Sequence, residues 1–156
     1  LKEQAMGKAL LIGAAWVSLA LGGTLVAEEP AKKDDAPRNE LLGKWTFTKI
    51  VRYGAEPPPE FLPTQTVFIT ASKISIKSDD GEHSAAYTVD LTKTPATIDI
   101  TPDGGDDAGK ARPGILEIKN GVLRICFARE GKPRPTAFAS KEEDKTVLYE
   151  LKRDSK

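Results

Sequence analysis

A chain of 156 residues has room for one domain and a tail, not for two ordinary domains. Hydrophobic residues at 39% and charged residues at 29% exclude wholesale disorder. Lys plus Arg and Asp plus Glu balance at 23 each; without residues 1–27, which carry Lys2, Lys8 and Glu3, the balance is 21 to 22. No general basic face is left to neutralise a run of phosphates, so no nucleic-acid partner is expected. Cys126 is the only cysteine and His83 the only histidine. An intramolecular disulfide, thiolate zinc clusters, C-x-x-C redox chemistry and multi-histidine metal sites are therefore all excluded.

From Ala9 to Ala27 the chain runs nineteen residues without a charge, with Lys8 before the run and Glu28-Glu29-Pro30 after it. A basic flank, an apolar stretch and a small exit residue make a secretory signal pattern. Cleavage is expected after Ala27, with Leu25 at position −3. Gly22-Gly23-Thr24 weakens the helix near its exit, which favours cleavage over retention as an anchor. Only if uncleaved would this segment give the protein a membrane contact. No cysteine stands near the exit, which excludes lipoprotein-type attachment. Met6 is the expected initiator. Residues 28–38 are charged and proline-bearing and read as a flexible linker, leaving 39–156 as the folded domain.

From Leu41 onward apolar residues mostly alternate, and no window shows a persuasive helical period. Trp45, Phe47 and Val51 alternate with Thr46, Thr48 and Arg52 in a first strand ending at Tyr53-Gly54. Residues 55–63 are too proline-rich for a strand interior; Phe61-Leu62 is expected to cover one end of the core, through a single helical turn. Strands follow at 66–70 and 73–77, then an Asp79-Asp80-Gly81 turn and a strand carrying Ala85, Tyr87, Val89 and Leu91. Ile98 and Ile100 mark the next strand. Residues 115–119, the Asn120-Gly121 turn and 122–128 form the clearest hairpin. Thr136–Ser140 is a candidate short strand, and 146–153 closes the domain. Eight or nine short antiparallel strands joined mainly by tight turns predict an all-β domain, a single up-and-down barrel of about eight strands behind an N-terminal signal helix.

The first strand opens with Gly43-Lys44-Trp45 and the last ends with Lys152-Arg153. This resembles the lipocalin-like (calycin) pattern, in which a G-x-W tryptophan closes the bottom of the barrel and a basic side chain after the last strand packs on its ring. The resemblance gives these two roles to Trp45 and Arg153. A longer stretch, with IDITPDGG from Ile98, AGKARPGI from Ala108 and NGVLRICFAREGKPRPTAF from Asn120, resembles an uncharacterised family of small lipocalin-like domains abundant in planctomycete bacteria and often secreted. The resemblance implies fold and compartment. It implies no activity, substrate or catalytic residue.

His83, beside Glu82 in a polar hairpin, reads as a solvated turn residue. Asp103, Asp106 and Asp107 around Gly104-Gly105 suit a turn better than a calcium loop. Cys126 alternates with Ile125 and Phe127 and reads as a small apolar filler under a loop. Phe47, Tyr87, Phe127 and Tyr149 are the candidate cavity-lining residues. Arg129, Lys132 and Arg134 form a candidate anion-contacting loop, with Lys110 and Arg112 near it. No catalytic residue, metal or cofactor is expected. The expected function is a non-enzymatic binding module, exported to the periplasm or secreted, holding a small apolar or amphipathic ligand. The alternative is an interaction or inhibitor domain with a filled barrel and an envelope protein as partner. An enclosed volume of roughly 300 Å³ or more would favour the first, and a packed interior the second.

Overall fold

The computed structural model describes residues 35–62 and 65–154. The expected signal segment 1–27 and the part of the expected linker up to residue 34 lie outside them. A short helix α1 (Asp35–Leu41) precedes eight strands: β1 (Gly43–Arg52), β2 (Thr66–Ile69), β3 (Lys73–Ser78), β4 (Gly81–Asp90), β5 (Ala96–Pro102), β6 (Arg112–Lys119), β7 (Val122–Ala128) and β8 (Thr146–Arg153). Each strand pairs antiparallel with its neighbour in sequence, and β1 pairs with β8, so the sheet is a closed eight-stranded barrel. Closure leaves no strand edge unpaired. Asn120-Gly121 turns with φ of 53° and 75°, the doubly positive pair a type I′ hairpin requires. Among the described residues no helix is long and apolar enough to cross a membrane.

The helix takes in residues 35–38, which the sequence assigned to the linker. Its last carbonyls have no partner within the helix. Side chains from the barrel supply them: Trp45 Nε1 donates to the Leu41 carbonyl at 2.9 Å, and Arg153 donates to the carbonyls of Leu42 and Glu40. Arg38 reaches the Ala71 carbonyl at 3.0 Å from the other side. A segment without apolar period is thus held by bonds to distant residues, which no local reading contains.

The inward faces carry Trp45, Phe47, Val67, Ile69, Ile98, Leu123, Ile125 and Leu151, all buried in one core. The first strand departs from simple alternation. A bulge between Phe47 and Lys49 inserts one residue and reverses the phase, so Ile50 faces the core where Val51 was expected. Val51 instead joins a second, outer cluster with Ile115, Cys126, Leu148 and Phe138.

That outer cluster is roofed by the connection from Arg129 to Lys145. No strand forms at Thr136–Ser140. Pro133 and Pro135 lack N–H groups, and the Ala139 carbonyl is spent on Cys126 Sγ (3.4 Å) and Thr146 Oγ1 (3.3 Å). Ser140 Oγ donates to the Thr146 carbonyl at 2.6 Å and accepts from the Gly54 amide. Arg124 lies 4.7 Å from the Phe138 ring centroid. Beneath this strap Cys126 is fully buried, and burial pushes its thiol pKa up, so the sulfur is protonated at neutral pH.

The proline-rich connection after β1 makes a single 3₁₀ turn, Pro59–Phe61, and Leu62 after it packs on the main core.

Candidate functional site: the upper end of the barrel

Alternating strand directions place the connections 53–62, 79–80, 103–111 and 129–145 at one end, the upper one, and the short turns and α1 at the other. The two ends differ in how they are filled.

The lower end is closed. Trp45 is 1% exposed, and the Arg153 guanidinium lies 4.6 Å from its ring centroid, within cation–π range. Gly43 makes the stack feasible: its φ is +125°, and a Cβ there would stand 3.1 Å from Arg153 Nη1. The structure brings Trp45 and Arg153 together, with Leu41 as a plug beside them.

The upper half contains a cavity of about 180 Å³, lined from all eight strands. Strand register explains its lining. Residues directly opposite in an antiparallel pair share a face. Ile74 and Ile76 point inward, so Ala85 and His83, their partners, do as well. Ile100 points inward, and so does Arg112 opposite it. Phe47, Phe127 and Tyr149 form one aromatic wall. Tyr149 meets Phe47 at 5.0 Å and 75° and Phe127 at 5.2 Å and 72°, both edge-to-face. Tyr87 stands apart from this cavity: it is buried in the core, its hydroxyl donates to the Thr70 carbonyl at 2.7 Å, and burial raises its pKa.

His83, Ser84 and Arg112 add polar groups to the cavity lining. His83 belongs to β4, not to a turn, and although exposed it is on the inward register opposite Ile76. Arg112 starts β6, pairs with Asp107 through Nη2, and lies 6.0 Å from the Phe127 ring centroid. Its Nε atom is buried and has no acceptor among the described residues. Asp107 is held below the usual carboxylate range by the hydrogen bond from Arg112, then by the charges of Arg112, Arg129 and Lys110. Lys110 also approaches Glu130 at 3.4 Å.

The expected anion-contacting loop divides. Arg129 lies near enough to act on Asp107, and Lys132 is exposed. Arg134 folds back onto the sheet instead. Its Nη1 donates to the carbonyls of Ile98 (2.9 Å) and Gly114 (2.7 Å), and its Nη2 to Asp99 Oδ1 (2.8 Å). Those bonds tie the strap to β5 and β6 and occupy the guanidinium. Of the acidic turn, Asp103 accepts from Ser84 Oγ (2.6 Å) and Lys73 Nζ (2.9 Å), which depress its pKa in that order. Among the described residues no group of three metal-ligating side chains is close enough to hold an ion.

No family model and no curated protein matches this chain. Among solved structures it is similar to a DUF4909 family protein from Staphylococcus aureus, at 12% identity and a TM-score of 0.40, over 71% of this chain and 96% of that one.

Proposed function

We propose that this protein is an exported, lipocalin-like binding module, non-enzymatic, that holds one small apolar or amphipathic ligand in the upper half of its barrel. The cavity carries this reading. Interiors shaped for stability alone are filled to crystal-like density. This cavity is only partly enclosed, which leaves a ligand a way in. At 180 Å³ the site is below the roughly 300 Å³ of pockets for drug-sized ligands, and near the roughly 150 Å³ that takes benzene. The ligand is accordingly one ring or a short chain. The charge-free run before Ala27 supports delivery to the periplasm or beyond.

The small volume also favours a second reading, an interaction or inhibitor domain of the cell envelope whose contact surface is the roofing strap. Native mass spectrometry of the exported full-length product separates the two. The binding module predicts one small molecule per chain, retained through purification or restored by incubation with short-chain alcohols and arenes. Ligand-free protein that also takes up none of these would overturn it.

A further inference from the structure

We infer that residues 130–138 of the strap form a latched arm, which opens from the outer face as a unit while the barrel stays folded, with Arg134 as the latch. The whole connection, Arg129 to Lys145, exceeds the roughly 12–15 residues beyond which a segment without strand or helix is uncommon in a compact domain, and such segments usually carry function. Its two parts are attached differently. The foot, 139–145, is tied to the start of β8: the Lys141 amide donates to Thr146 Oγ1 at 2.8 Å, and the Thr146 amide to the Lys141 carbonyl at 3.3 Å. The arm has no such ties. Among the described residues no backbone hydrogen bond joins 130–138 to a strand, and Pro133 and Pro135 have no N–H to offer.

Two side chains hold the arm down. Arg134 commits its guanidinium to the Ile98 and Gly114 carbonyls and to Asp99, while Phe138 packs on the outer cluster and against Arg124. Bonds from a charged donor are the stronger kind, so the polar attachment is concentrated in one residue. The Glu130–Lys110 pair, at 3.4 Å, is half-exposed and adds little. A cavity of about 270 Å³ between arm and foot, with Pro133, Ala137, Ala139 and Lys141 in its lining, keeps the two from packing as one block. The Arg129 amide donates to the Lys145 carbonyl at 3.1 Å, beside the Ala128–Thr146 pair, so the base of the connection stays closed when the arm lifts. Beneath the arm and foot lie Ile115, Cys126 and Leu148, a buried apolar cluster separate from the main core. Lifting the arm loosens the cover over this face and leaves the barrel interior as it is, with or without a ligand. The arm therefore meters access to an apolar face that the closed form hides.

Cys126 is the only cysteine and reports the opening directly. Its alkylation by iodoacetamide is followed in the full-length protein over urea concentrations below the unfolding transition. The expected rate changes little with urea, because lifting the arm exposes little surface. Arg134→Gln is expected to raise the rate about tenfold or more, through loss of charged hydrogen bonds. Arg153→Met, which loosens the opposite end of the barrel, is expected to leave the rate unchanged. Alkylation that climbs with urea as steeply as global unfolding, or is absent below the transition, overturns the inference. Equal acceleration in the two variants, or none in Arg134→Gln, overturns it as well. Should Arg134→Gln fail to fold, the urea dependence of the native protein and the Arg153→Met rate still decide.

Discussion

Replacing Trp45 with alanine is expected to remove roughly 3–5 kcal/mol of folding stability, the largest loss from a single site in this domain. Trp45 is almost wholly buried at the lower end and serves three structures at once. Its ring fills the bottom of the barrel among Leu41 and the first layer of core residues. Its Nε1 donates to the Leu41 carbonyl, and its face receives the Arg153 guanidinium. Truncation leaves a cavity, an unpaired carbonyl at the end of α1 and a guanidinium without its platform. Domains of this size have about 5–15 kcal/mol in total, so the variant sits near the edge of folding. Urea denaturation measures it. Arg153→Met is expected to lose less, and the double variant less than the sum, because the two residues share one contact. A Trp45→Ala loss under about 1 kcal/mol would mean that the lower closure contributes little.

The second large effect is at Gly114, where the constraint is room alone. A Cβ there would stand 2.8 Å from the Cys126 carbonyl oxygen and 2.9 Å from Phe127 Cβ, closer than packed atoms tolerate. Ile98 Cγ2 follows at 3.2 Å. Two of these three neighbours are fixed by the β6–β7 ladder, which pairs Gly114 with Phe127. Gly114→Ala must therefore push apart β6 and β7 or shift the Phe127 wall, at an expected cost of about 1–3 kcal/mol. Gly104→Ala is the matched control, since a Cβ there meets nothing within 4 Å; its expected effect lies within about 0.5 kcal/mol. Thermal melts of both variants, run side by side, decide the point. Equal melting temperatures would show that the barrel relaxes around position 114 more easily than its packing indicates.

The strand order and closure were legible because alternation is a local property. Trp45, Phe47, Ile74, Ile76, Ile98, Ile100, Leu123 and Ile125 declare their faces by spacing two residues apart. Three features were not legible, each for a physical reason. The bulge between Phe47 and Lys49 is one unpaired residue in a strand of otherwise ordinary composition, so the inward place of Ile50 is settled only by the partner strand. Arg134 reads as part of an anion-contacting loop, because the carbonyls that hold it lie 20 and 36 residues away. His83 reads as a turn residue because its neighbours are polar, although its pairing with Ile76 turns it inward. Arg112 could have been found. Counting back by twos from Ile118 through Leu116 and Gly114 places it on the inward face, but a strand begun at Ile115 stops short of it. The outer placement of Cys126 beneath a loop was visible from parity alone.

A ligand site in the upper half of the barrel can be mapped on the protein by heteronuclear NMR with a small apolar probe. Titration with 1-octanol is predicted to move the methyl resonances of Ile74, Ile100 and Ile125 and the ring signals of Phe127 and Tyr149, which line the cavity. Leu41 and Trp45 at the closed end, and Phe138 in the strap, are predicted to stay in place. Shifts confined to the strap, or none at saturating octanol, would rule out a ligand site there and leave the barrel interior as packing alone.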